Sequence, residues 1–139
     1  QFAVVTNTIT STRIWLGCAV SFGTASKPTG AAAAIVFDSA TGANWVLRVW
    51  DGASANYTDY DTGKVCNANE AIEAELILSS GTAKGRVRTA GGTWTAYQTA
   101  TTNIPGNTTA MQHATLLVRT AAGTSTLYFR GSSCSATYQ

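Results

Sequence analysis

The sequence predicts an all-β protein, an antiparallel β-sandwich of the jelly-roll kind, and three observations carry that expectation. Short apolar segments rich in β-branched and aromatic residues recur along the chain. Nearly every gap between them holds glycine, often beside Pro, Asn or Asp. The segment NANEAIEAELIL at 67–78 has good helix formers, yet Ile72, Ala74, Leu76 and Leu78 alternate with Glu73, Glu75 and Ile77 at period two. Many short strands separated by turn chemistry are the pattern of a sandwich or barrel rather than of helices.

In chain order the expected strands are 2–10, 13–22, 32–37, 44–50, 70–79, 83–89, 93–98, 114–120 and 125–130. KPTG, ATGAN, DGASAN, SSG, AGG, IPGN and AAG separate them as turns. Two segments compete with helix. The AAAA run at 31–34 follows KPTG and enters β-branched Ile35 and Val36, which favours a strand. In 70–79, Ile72, Ala74, Leu76 and Leu78 share one face of a strand while Glu73 and Glu75 share the other. The same alternation puts Trp15, Ile35, Phe37, Trp45, Leu47, Leu76, Leu78, Val87, Leu116, Val118, Leu127 and Phe129 inside.

At 139 residues the chain is expected to be a single β-sandwich domain over 1–139, and without an initiator Met it reads as a processed product or a segment of something longer. Only 12% of residues are charged against 45% hydrophobic, so hydroxyl groups carry much of the solubility. That balance fits an extracellular or particle-bound β protein better than a helical cytosolic enzyme. A net charge of +2 is too small to suggest nucleic acid as a partner. No apolar run is long enough for a membrane helix, so no membrane insertion is expected. Cys18, Cys66 and Cys134 show no CxxC spacing, and sequence leaves open whether any two form a disulfide.

Lys84, Arg86 and Arg88 fall on one face of a strand, where they could meet an anionic glycan or phosphate, although a solvated face is the favoured reading. Glu73 and Glu75 lie two apart, roughly 6.5 to 7 Å along a strand. A retaining glycosidase needs its carboxyl groups about 5 to 5.5 Å apart, so no catalytic residue is expected. Asp59, Asp61 and Gly63 open like a calcium loop, yet Lys64-Val65-Cys66 supplies no further acid. A turn held by Asp side chains is therefore expected, with no metal and no cofactor. His113, the single histidine, is expected at a strand edge or subunit contact. Trp94 and Tyr97 beside a Gly-Gly turn are the most plausible exposed pair for stacking on sugar rings, with Tyr57 and Tyr60 as further candidates.

The stretch TTNIPGNTTAM at 101–111 breaks two strand segments. Pro105 ends ladder pairing because it lacks an N–H, and Asn103 is expected to cap the turn. With RTAAGTS at 119–125 and, upstream, NWVLRVWDG, DYDTGKV and EAIEAELILSSGTAKGRVR, this order resembles a concanavalin-like jelly-roll domain of tailed-bacteriophage structural proteins, found in tail fibres, tail spikes, head fibres and decoration proteins. The resemblance covers roughly residues 44–130, and the ending GSSCSATYQ departs from it. It implies a non-enzymatic virion protein at the particle surface that stabilises the particle or adheres to host-surface glycan. Other virion subunits would be its partners, and a homotrimer its assembly. Loops such as 52–63 and 91–94 would face the glycan. A free-standing lectin, a small β-glycan hydrolase of the same fold and a pilus or surface-filament subunit are the rival readings.

Overall fold

The computed structural model describes residues 1–21, 28–106, 108–119 and 126–132, and among these it forms ten strands. They are β1 (Phe2–Thr6), β2 (Thr12–Ser21), β3 (Thr29–Asp38), β4 (Asn44–Trp50), β5 (Thr58–Val65), β6 (Ala71–Ser79), β7 (Thr82–Thr89), β8 (Gln98–Ala100), β9 (Gln112–Arg119) and β10 (Leu127–Ser132). Among the described residues, one sheet runs β10-β1-β6-β7-β8 and the other β5-β4-β3-β2-β9. Every pairing is antiparallel. No helix occurs among these residues, so both helix-competent segments are strands.

Period two explains the main core. Ile14 and Leu16 from β2, Ile35 and Phe37 from β3, Trp45, Leu47 and Val49 from β4, and Ile72, Ala74 and Val87 from β6 and β7 meet between the sheets. Leu76 and Leu127 pack against them in part. Burying each of the larger aliphatic side chains contributes roughly 1.5 to 3 kcal/mol.

A second apolar cluster lies on the other face of the β5-β4-β3-β2-β9 sheet. Trp15, Ala19, Ala32, Ala34 and Val36 are buried there, with Val46, Tyr57 and Leu116 half-buried beside them. This accounts for the AAAA run: β3 is buried on both faces from Ala31 to Asp38, so its sequence does not alternate. Gly17 on the neighbouring strand lets β3 come close, since a Cβ there would lie 2.4 Å from the Ala33 carbonyl oxygen.

Several expectations require correction. Trp15 and Leu116 are apolar contacts of this outer cluster, not of the space between the sheets, and Val118 is half-buried on that same outer face. Leu78 is 36% exposed, one residue from the end of β6 at the β6–β7 hairpin. The Phe129 side chain, the RTAAGTS corner from residue 120 onward and the terminal GSSCSATYQ from residue 133 lie outside what is described. DYDTGKV is the edge strand β5, where a turn was expected, so residues 58–63 are not loop. Residues 93–97 are irregular, and the strand expected there is only the short β8.

Candidate functional site

The outer face of the β10-β1-β6-β7-β8 sheet sets a row of glutamates against a row of basic residues. The β6–β7 register sets Glu73 opposite Arg88, Glu75 opposite Arg86, and Ile77 opposite Lys84. Directly opposite residues in an antiparallel pair share a face, so the expected basic row of β7 meets the acidic row of β6. Arg88 Nε and Arg86 Nε each reach their glutamate at 2.5 Å. Lys84, opposite Ile77 and Thr99, makes no ion pair or hydrogen bond among the described residues.

The segment after β7 folds back over this ladder. The Gly92 N–H donates to the Thr89 carbonyl at 2.8 Å, and the Thr95 N–H to the Val87 carbonyl at 2.9 Å. The Thr95 hydroxyl accepts the Val87 N–H at 3.1 Å, and Arg88 Nη1 donates to the Gly92 carbonyl at 3.2 Å. Trp94 and Tyr97 are thereby brought onto the arginines. The Arg86 guanidinium lies 4.2 Å from the Tyr97 ring centroid and 4.6 Å from that of Trp94, with Arg88 4.4 Å from Trp94. The contacts form one chain, Tyr97 to Arg86 to Trp94 to Arg88, and each link is a cation–π attraction.

Glu75 is the polar hub of this chain. It accepts the Tyr97 hydroxyl at 2.6 Å, Arg86 Nε, and Gln1 Nε2 at 3.3 Å. Burial pushes its carboxyl up, but the bonds from Tyr97, Arg86 and Gln1 and the charge of Arg86 outweigh burial and leave it below its ordinary value. The hydrogen bond to Glu75, with burial and the Glu75 charge, holds the Tyr97 phenol above its ordinary value. Both groups therefore keep one protonation state around neutrality, and the ring has a fixed position. Tyr97 is nevertheless 38% exposed, whereas Trp94 is half-buried with two guanidiniums on it. Of the two, Tyr97 is the ring with more surface to offer a ligand.

The other two candidate tyrosines stand elsewhere. Tyr57 is on the opposite sheet's outer face, 5.5 Å from the Trp15 ring and 5.3 Å from Trp50. Tyr60 packs against the main core. Beside Tyr57, Arg48 is only 6% exposed and binds Asp59 through Nε and Nη2 at 2.6 Å each, with Asp38 3.7 Å away. Its guanidinium lies 5.4 Å from the Trp15 centroid and 5.2 Å from that of Tyr57. This cluster pins β3, β4 and β5 together, so the second sheet's aromatics serve packing.

Asn103 departs from its expected role as a local cap. It has φ 56°, and its side chain reaches the 51–58 segment instead. That segment is also held by Asp51, whose carboxylate accepts the N–H groups of Ala53 and Ser54 and the Ser54 hydroxyl. Asp59 is committed to Arg48, and Asp61 accepts the Asn44 amide at 2.9 Å and the Gly63 N–H at 2.7 Å. His113 is exposed on edge strand β9, its ring stacked on Phe2 at 4.8 Å. Cys66 is a buried free thiol, and Cys134 lies outside the described residues.

Sequence reading found the basic row, the acidic row and the aromatic pair separately and missed that they form one surface. The signal was present: EAELIL and AKGRVR carry opposite charges at mirrored distances from the SSGT turn. What fold and face define is a β-sandwich with one sheet face armoured by apolar packing and the other bearing an aromatic–arginine–glutamate ladder. No family model, curated protein or solved structure matches the chain.

Proposed function

We propose that the chain is a non-enzymatic structural protein of a bacteriophage virion, a fibre or capsid/tail decoration domain, and that the outer face of its β10-β1-β6-β7-β8 sheet adheres to host-surface glycan. The observation that carries the adhesive role is Tyr97, an exposed ring fixed by Glu75 and Arg86. A ring already ordered loses little freedom on stacking against a sugar, which favours affinity. The weakly charged, all-β composition supports a particle-surface role, as does the order of motifs from NWVLRVWDG to RTAAGTS. The two antiparallel sheets are compatible with a concanavalin-like jelly roll, and a homotrimer held among other virion subunits is the assembly this reading carries.

The state of the carboxylates supports adhesion without turnover. Glu73 and Glu75 are each taken up by a guanidinium, and Glu75 is held ionised, whereas a general acid for glycoside cleavage must keep its proton near neutrality. The test is to incubate the protein with bacterial surface polysaccharides and β-glucans while measuring bound protein and new reducing ends together. Binding with no new reducing ends is expected. Release of reducing ends that disappears in Glu75→Gln would overturn the reading in favour of a hydrolase.

A further inference from the structure

We infer that the ligand of this face is an anionic glycan, one whose sugar units carry carboxylate or phosphate, and that Lys84 is the residue selecting for that charge. The inference rests on the glycan-adhesion reading and deepens it. Three cations line the outer face of β7, but they are not equivalent. Arg86 and Arg88 are each neutralised by a glutamate and also lie against aromatic rings, so their charge is already used within the protein. Lys84 continues the same row, and no carboxylate faces it: its cross-strand neighbours are Ile77 on one side and Thr99 on the other.

Among the described side chains of β6 and β7 on this face, Glu73 with Arg88 and Glu75 with Arg86 cancel in pairs, and Lys84 carries a positive charge with no carboxylate opposite it. The position of that charge suits a sugar. Lys84 is two residues from Arg86, roughly 6.5 to 7 Å along the strand, and Arg86 lies beneath the Tyr97 ring. Thr99, directly opposite Lys84, offers an exposed hydroxyl, and Ile77 on the other side is 41% exposed. One patch thus holds a fixed ring for the apolar face of a pyranose, a hydroxyl for hydrogen bonding, an aliphatic wall and an exposed ammonium. A lysine stem reaches outward while its ammonium stays hydrated, so the charge can meet an anion without prior desolvation.

The test compares binding of three oligosaccharide probes of equal length, a neutral hexose oligomer, a hexuronate oligomer and a sugar-phosphate oligomer, to the wild-type protein, Lys84→Gln and Tyr97→Ala. The wild type is expected to prefer at least one of the charged probes over the neutral one by about fivefold, the worth of one exposed ion pair. Whichever charged probe binds better identifies the anion. In Lys84→Gln the ratio of charged-probe to neutral-probe binding is expected to fall to about one, and in the wild type that ratio should shrink with added salt. A preference that survives Lys84→Gln, or a wild type that favours the neutral probe, overturns the inference and leaves the adhesive face standing if Tyr97→Ala still abolishes binding. Absence of binding to all three probes overturns the adhesive reading as well.

Discussion

Asn103 and Asp51 are 52 residues apart in sequence, yet the Asn103 side-chain oxygen accepts the Asp51 backbone N–H at 3.2 Å. Its amide nitrogen donates to the Asn56 carbonyl at 3.0 Å and to Thr58 Oγ1 at 3.1 Å. One side chain from the TTNIP break thus ties down the whole β4–β5 connection. Its backbone is left-handed, which Asn tolerates better than most residues. Asn103→Ala removes three hydrogen bonds and strains the backbone, and should cost about 2 to 4 kcal/mol. Asn103→Gly removes the bonds without the strain and should cost measurably less. Equal thermal unfolding midpoints for the two variants would contradict the backbone part of this account.

Two glycines should respond differently to a methyl group. At Gly17 a Cβ would lie 2.4 Å from the Ala33 carbonyl oxygen and 2.5 Å from the Ala34 Cα, so the obstacle is backbone. At Gly85 it would lie 2.5 Å from Ile35 Cδ1, a side-chain atom. Gly85→Ala should therefore cost about 1 to 3 kcal/mol, and Gly17→Ala more. Ile35→Val deletes the obstructing atom, so Gly85→Ala should cost less in that background. Denaturant midpoints of the four-member cycle check this, and strict additivity would contradict it.

The Cys66 thiol is buried at the foot of β5, and burial, with a smaller contribution from the Glu70 charge, pushes its pKa up to about 12. At pH 8 it should resist alkylation in the folded protein and react once denatured, read as the modified fraction of the Cys66 peptide by mass spectrometry. Because the folded pKa is raised, the thiol's contribution to stability is complete below its unfolded value, close to 9. It is then lost as pH climbs from there towards 12. Native labelling as fast as in denaturant would refute the burial.

Glu70 and Glu75 act in the opposite direction. Burial raises both carboxyls, but for Glu70 the bonds from Lys64, Thr89 and Asn67, and for Glu75 those from Tyr97, Arg86 and Gln1, leave them below their ordinary value. Their stabilisation is present above the unfolded value of about 4.5 and is lost as pH falls below it. Between pH 7 and pH 3 the wild type should lose more thermal stability than Glu75→Gln. Parallel pH profiles would show that the Glu75 hub contributes nothing.

The virion reading carries an assembly. Light scattering at two concentrations should give a mass near three chains of 14.4 kDa at both. A monomer at both concentrations would contradict the homotrimer.

Much of the sandwich was legible because alternation reports burial on one face, as in the β6 segment with Ile72 and Ala74 inward and Glu73 and Glu75 outward. Legibility failed where that premise failed. β3 is buried on both faces and does not alternate, and Trp15 and Leu116 were assigned to the wrong side of a sheet whose outer face is also apolar. β5 was hidden because Asp59, Asp61 and Gly63 are turn-forming residues, and only the cross-strand Arg48 and Asn44 reveal why they sit in an edge strand. The ladder was hidden for a related reason: Arg86 and Trp94 meet through a fold-back whose register no local pattern states.

The proposed sugar-binding surface is Tyr97 on its glutamate–arginine ladder. Its most direct test is a glycan array probed with the wild-type protein and with Tyr97→Ala, the variant being confirmed as folded by its thermal unfolding. The account predicts a defined set of bound glycans for the wild type and loss of that set for Tyr97→Ala. Retention of the same glycans by the variant, or none bound by the wild type, would contradict it.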